Sequence, residues 1–333
     1  MHKLISILVV ADRSSADQVL LEKAVLLARR VGAQIHLFSC DAQLAHTLRH
    51  SGDPKEAEKA WNAGVADRRA YLESLRTAVG APDLYLLVEA TCDGPLCDVI
   101  SKKALECNAD LVMKSPSGAH PLRGLAFDTN DWQLMRTCPV TMMLVRERPW
   151  HEPPRFAALV DVGDTQGERL AETIVHTSEY FALGCQGSLE LVYSDPADDG
   201  ALRRRHTAAL ERLAREYHIG EANLHVLAGD PHNTLTELVA RRGYDVVMLG
   251  ALTHRRGFAA LIGTLTSQLM DGVRSDLVLV KRELAERLCW KDSTVLTEED
   301  SSGDVRKAPG ARTPHRGRGQ SRTGVLWQAI FGD

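Results

Sequence analysis

Asp110-Leu111-Val112-Met113 and Asp245-Val246-Val247-Met248 are two copies of one short strand. Twenty-five residues after each aspartate stands a methionine, Met135 or Met270, and 10 residues after that a valine, Val145 or Val280. These valines lie in Thr141-Met-Met-Leu-Val145-Arg-Glu and Leu277-Val-Leu-Val280-Lys-Arg-Glu. A constant offset of 135 without a gap marks an internal repeat. Upstream, Leu4-Ile-Ser-Ile-Leu-Val-Val-Ala-Asp12 resembles Phe156-Ala-Ala-Leu-Val-Asp161, and Leu84–Val88 resembles Leu224–Ala228. The offsets change there, so loop and helix lengths differ between the copies.

Each copy alternates strand and helix. Apolar runs at 4–11, 33–39, 84–90, 110–114 and 140–145 predict buried strands, and helix-period stretches at 16–31, 54–79, 95–107 and 129–137 lie between them. The second copy repeats the plan, with strands at 156–161, 188–193, 223–228, 245–249 and 277–281 and helices at 167–182, 197–217, 231–242 and 264–272. Strands joined by crossover helices imply parallel sheets covered on both faces. The expected fold is therefore α/β: two tandem, open-sheet, doubly wound Rossmann-like domains with five-stranded, mainly parallel sheets. The expected boundaries are 1–148 for the first domain, 149–155 for a linker stiffened by Pro149, Pro153 and Pro154, 156–284 for the second domain and 285–333 for a tail.

Composition restricts the class. The 333 residues fit two domains, hydrophobic residues make up 44%, and the net charge of -4 gives the body no pull toward nucleic acid or anionic lipid. No apolar run approaches the ~18 residues of a membrane span, and Met1-His2-Lys3-Leu4 leads straight into a strand, so a cytoplasmic location is expected. The seven scattered cysteines read as reduced thiols. Cys92, Cys97 and Cys107 lack a zinc-site spacing. Asp195, Asp198 and Asp199 read as a solvated acidic loop rather than a cation site. The tail is rich in Ser, Gly, Arg and Pro and is expected to be an untied terminus. Its arginines offer the one plausible contact with RNA or DNA, and its apolar end a contact with a partner.

In open parallel sheets, ligands bind beyond the carboxyl ends of the strands. In the second copy that edge carries Leu249-Gly250-Ala-Leu252-Thr253-His254-Arg255-Arg256-Gly257, then Leu261-Ile-Gly263-Thr264-Leu265-Thr266 opening a helix. Glycines admit an anion to the backbone, a helix N-terminus offers it free N–H groups, and Thr264 and Thr266 add hydroxyls. Asp161, after the first strand of the copy, is placed to accept hydrogen bonds from a ribose. The same residues also fit an ordinary strand exit at Gly250 and an ordinary helix cap at Gly263-Thr264.

Gly250, the spacing to Gly263 and the hydroxyl of Thr264 resemble the Gly-x-x-Gly-x(9)-Gly-Ser/Thr motif of ATP-binding members of the universal stress protein family. Thr253 stands where that motif has its second glycine. In the first copy, Phe127-Asp-Thr-Asn-Asp-Trp132-Gln-Leu-Met-Arg-Thr-Cys138-Pro139 resembles tandem members of the same family. The resemblance implies the HUP-type version of the fold, a role in stress response, ATP with magnesium as a possible ligand of the second copy, and no catalytic residue. It also implies that Val160, Leu252 and Leu265 line the nucleotide. Family members pair their final strands across a two-fold axis, so the copies are expected to form a pseudo-dimer within the chain, with a homodimer or another protein partner also open. A non-nucleotide scaffold holding an apolar ligand or a protein, and a slow ATPase, are the other readings. At the offset of 135, Gly250 corresponds to Ser115 and Gly263 to Asp128. A carboxylate at 128 repels phosphate by ~4 kcal/mol at ~4 Å and an effective dielectric of ~20, so the first copy is expected not to bind ATP in this way.

Overall fold

In the computed structural model, the described residues are 4–116, 129–163, 165–195, 199–250 and 274–281. The chain divides into units Met1–Thr294 and Val295–Asp333, and every described residue belongs to the first. Its first half comprises β1 (Ser6–Val10), α1 (Asp17–Val31), β2 (Gln34–Cys40), α2 (Ala42–Arg49), α3 (Pro54–Val79), β3 (Leu86–Thr91), α4 (Leu96–Glu106), β4 (Leu111–Lys114), α5 (Thr129–Thr137) and β5 (Thr141–Leu144). Its second half comprises β6 (Arg155–Leu159), α6 (Thr165–Gly184), β7 (Ser188–Asp195), α7 (Gly200–Glu216), β8 (Leu224–Ala228), α8 (Pro231–Arg242), β9 (Val246–Gly250) and β10 (Asp276–Val280).

All ten strands form one sheet in the order β3-β2-β1-β4-β5-β10-β9-β6-β7-β8. Pairing within each half is parallel, and β5 meets β10 antiparallel. The central strands are apolar on both faces, as parallel strands covered by helices must be. α1 buries Leu20, Leu21, Ala24, Leu27 and Ala28 and stops at Gly32, whose φ of 75° is the left-handed cap that glycine adopts without steric cost. α2 falls where the sequence reading has no element. Its polar, histidine-containing turn is held by the Asp41 carboxylate, which accepts from Leu44 N–H at 2.9 Å.

The repeated aspartates of the two quoted strands do one job twice. Asp110 accepts from the N–H groups of Ile5 (2.8 Å) and Ser6 (3.1 Å), which pins the start of β1 beside β4. Asp245 accepts from the N–H groups of Arg155 (2.8 Å) and His151 (3.1 Å), which pins β6 beside β9. Both carboxylates are buried, where unpaired N–H groups would be costly.

The seam between halves follows the repeat. Val278 lies opposite Met143, its own counterpart at the offset of 135, so the local two-fold axis passes between them. Arg146 N–H donates to Asp276 Oδ1 (2.7 Å), and at the related position Lys281 N–H donates to Thr141 Oγ1 (3.0 Å). Asp276 also accepts from Lys23 Nζ of α1 (2.7 Å) and from the indole of Trp150 in the connecting segment (2.6 Å). Its side chain is 1% exposed and that of Lys23 6%.

One polar pair is exchanged between the halves. Phe38 follows the β2 position of His36 by two residues and faces Glu89 on β3, while Val192 follows Glu190 by two and faces His225 on β8. Hence His36–Glu89 in the first half becomes Glu190–His225 in the second. His36 Nδ1 lies 4.0 Å from Glu89, and burial pushes its pKa down. Glu190 is more tightly held, accepting from His225 Nε2 (2.6 Å) and Tyr244 O–H (2.5 Å). Burial alone would raise its pKa, but these hydrogen bonds and the charge of Arg242 hold it below the usual glutamate value.

A carboxylate so held stabilises the fold above its ordinary range and loses that contribution as pH falls through its folded-state value. Glu190→Gln should therefore lower unfolding free energy by about 1–2 kcal/mol at pH 7. In denaturant titrations the difference from wild type should shrink as pH falls below ~4. A difference constant down to pH 3 would contradict the assignment.

Candidate functional site

In each half the strand order reverses between the first and fourth strands, which opens a crevice beyond their carboxyl ends. The two crevices, at β1/β4 and β6/β9, are built from corresponding residues but differ in chemistry.

At β1/β4, Lys114 closes the strand where the second half has Leu249. Its side chain is 2% exposed. Nζ lies 3.1 Å from Asp131 Oδ1 in the first turn of α5 and 3.6 Å from Asp12 Oδ2 beyond β1, and it donates to Ser115 O at 2.8 Å. The side chain of Asp131 is 1% exposed. The crevice is thus occupied by the protein's own cation between two carboxylates. Asp128 lies outside the described residues, so the charge argument at that position is separate from this ion cluster. The cluster was missed in the sequence reading, although a lysine ending an otherwise apolar strand was its signal.

At β6/β9, Ala158 pairs with Met248, which brings Val160 and Asp161 alongside Gly250. Val160 and Leu249 are buried at 6% and 3% exposure. Asp161 is half-buried and accepts from Gly163 N–H at 2.9 Å. A Cβ at Gly250 would stand 2.7 Å from Leu170 Cδ2, so this glycine also serves close packing of the strand end against α6. Of the expected site residues, Val160, Asp161, Leu249 and Gly250 come together here. Leu252, Thr253, Gly263, Thr264, Leu265 and Thr266 lie outside the described residues, as do His254, Arg255 and Arg256.

A second polar group flanks this edge. Asp195, expected in a solvated loop, is instead 0% exposed at the end of β7, with Arg203 and His206 of α7 turned toward it. His206 Nδ1 lies 3.3 Å and Arg203 Nε 3.9 Å from Asp195 Oδ2. Tyr193 O–H lies 3.1 Å from the same Nδ1. Burial, then the charges of Asp195 and Asp161, push the Tyr193 pKa up, so the phenol keeps its proton. Asp199 caps α7 by accepting from Ala201 N–H at 2.8 Å, and Asp198 lies outside the described residues. By strand register, Ser39 of β2 and Asp41 just beyond it are the counterparts of Tyr193 and Asp195. They meet Arg68 of α3, at 3.1 Å and 2.8 Å. A fixed guanidinium therefore stands in the first half where the second has an imidazole.

Among the described residues, no group of histidine, cysteine and acidic side chains is arranged to hold a metal ion, and no helix is long and apolar enough to cross a membrane. The six described cysteines are free thiols.

This doubled, doubly wound sheet with its two unlike crevices defines a tandem α/β protein, and residues 6–146 match the Universal stress protein family model. The chain carries a universal stress protein domain in its first half. It is similar to Universal stress protein E of Salmonella typhi, at 24% identity over 295 residues, 83% of this chain and 94% of that one. It is also 24% identical over 295 residues to Universal stress protein E of Escherichia coli strain K12, covering 83% and 93% of the two chains. A crystal structure of a universal stress protein from Pseudomonas aeruginosa UCBPP-PA14 superposes with a TM-score of 0.68 at 20% identity, covering 86% of this chain and 96% of that one. One from Archaeoglobus fulgidus DSM 4304 gives 0.63 at 11% identity, with 84% and 97% covered. At these identities the structures establish the fold.

Removing one member of a buried ion cluster leaves uncompensated charge and costs about 3–5 kcal/mol. Lys114→Met should show such a loss in chemical denaturation, and adding Asp131→Asn should restore at least about half of it. Additive losses in the double variant would show that the two are not coupled.

Proposed function

We propose that this protein is a stress-response binding protein that takes ATP or a related nucleotide, with magnesium, at the β6/β9 crevice of its second half as a regulatory ligand. The observation that carries this reading is the contrast between the two crevices. The first is filled by Lys114 between Asp12 and Asp131. The second has Leu249 in place of the lysine, and Asp161 makes one hydrogen bond among the described residues, to Gly163 N–H, leaving acceptor capacity for a ligand. The motif of Gly250, Gly263 and Thr264 supplies the phosphate end, where N–H groups at a helix start favour an anion. Asp161 holds the sugar, and Val160 forms apolar wall beside it. The family resemblance supports the same placement. Ligand binding here acts through the shape of the second half, and the continuous sheet gives it a mechanical route to the first.

Titration calorimetry with magnesium and ATP, on wild type and on Gly263→Asp and Asp161→Ala, tests this. Micromolar binding is expected for wild type. A carboxylate at 263 should weaken it by about a thousandfold through charge repulsion, and Asp161→Ala by about tenfold. Absence of wild-type binding would favour the scaffold reading, in which Thr253 closes the phosphate loop.

A further inference from the structure

The net charge of -4 is not spread evenly over the chain. α7 carries five arginines against two glutamates. Its counterpart in the first half, α3, carries five cations against four acids. At a helical turn of about 100° per residue, Arg204, Arg205, Arg212 and Arg215 fall within one arc of about 100°. All four are exposed. Neither Arg204 nor Arg205 makes an ion pair among the described residues. Glu211 and Glu216 stand at the two margins of the arc, and Glu211 lies 4.0 Å from Arg215 in an exposed pair. Such a pair contributes little and leaves the guanidinium donors to solvent.

The opposite face of α7 holds the stripe outward. His206, Ala209, Leu210, Leu213 and Ala214 are buried, where the helix packs on β7 and β8. Arg203 and His206 turn toward Asp195 and take no part in the stripe. The four exposed guanidiniums are therefore displayed by a rigid, seated helix.

Four guanidiniums on one face suit an anionic polymer, because each planar fork matches an anionic oxygen pair. Three features narrow its class. The apolar face of α7 is already spent on the sheet, so the helix cannot lie in a bilayer interface. No aromatic side chain stands in the stripe, so it offers no platform for the unstacked bases of a single strand. The arginines also form two pairs, 204/205 and 212/215, whose midpoints are nine residues apart. At 1.5 Å per residue that is about 13 Å, close to the roughly 12 Å width of the B-DNA major groove. Each pair can then meet one of the two phosphate rows that border the groove. Between the pairs the arc holds only Ala208, which is exposed and small enough to let the helix come close. The major groove of A-form RNA is too narrow for this fit.

We infer that the arginine stripe of α7 is a contact surface for the phosphate backbone of B-form DNA, spanning the major groove without reading base sequence. It uses neither crevice and is independent of the nucleotide reading.

The test is fluorescence anisotropy of a labelled, mixed-sequence DNA duplex with the full chain over a salt series. One variant combines Arg204→Gln, Arg205→Gln, Arg212→Gln and Arg215→Gln, and glutamine preserves helix propensity. A charge-matched control combines Lys55→Gln, Lys59→Gln, Arg69→Gln and Arg76→Gln on α3. For wild type, log K should fall linearly with log[salt]. The α7 variant should lose about 3–4 of that slope and bind at least about a hundredfold more weakly at low salt, while the control keeps both. Circular dichroism checks that both variants are folded. Absence of wild-type binding overturns the proposal. An α7 variant that binds like wild type also overturns it and assigns the binding to the arginine-rich tail. Equal affinity for polyglutamate, lost in the same variant, replaces DNA by an acidic protein partner. Equal affinity for double-stranded RNA overturns the groove-spanning geometry.

Discussion

The buried carboxylate of Asp276 organises the centre of the molecule. It stands at the first residue of β10 and collects Lys23 from α1, the indole of Trp150 from the connecting segment and the backbone N–H of Arg146 after β5. A carboxylate this deep is tolerable only with charge compensation and hydrogen bonds on both oxygens, and it has them. It joins the end of the first half, the connecting segment and the start of the last strand at one point. The antiparallel seam then continues between β5 and β10, and both halves become one ten-stranded sheet. The seam also removes two edges that would otherwise invite aggregation.

Given that frame, the halves were free to diverge wherever the frame did not constrain them. Asp110 and Asp245, which fix strand starts, are the same residue in both. The diagonal acid–base pair at the outer strands is reversed, as His36–Glu89 and Glu190–His225, because either order satisfies the same charge requirement. At the ligand edge the divergence is chemical. Lys114, Asp12 and Asp131 satisfy one another in the first half, while at the corresponding edge of the second Asp161 makes one hydrogen bond among the described residues and keeps acceptor capacity. Arg68 and His206 show the same asymmetry: a guanidinium only donates, whereas a neutral imidazole both donates and accepts.

Much of the fold was legible in the sequence because it rests on period and repeat. Both quoted strands, the order of strands and helices, and the long helix over 54–79 follow from apolar spacing alone. α2 was not legible, since it is only eight residues long and its apolar face, Leu44, Ala45 and Leu48, spans barely one turn. The candidate site was legible where local motif chemistry placed it, at Asp161 and Gly250. The Lys114 cluster and the Tyr193–His206–Asp195 group were not, because their members come from separate strands and helices. Only strand register brings them together. Asp195 is misjudged for the same reason: among neighbouring aspartates it looks solvated, and the α7 side chains that cover it, Arg203 and His206, lie eight and eleven residues further on.

One crevice is closed by an internal ion cluster, and the other is the one we propose holds a ligand. Native mass spectrometry of the full chain with saturating ATP and magnesium reads this directly as a stoichiometry. The account predicts one nucleotide per chain. Two per chain would show that Lys114 does not close the first crevice, and none would show that the second is not a nucleotide site.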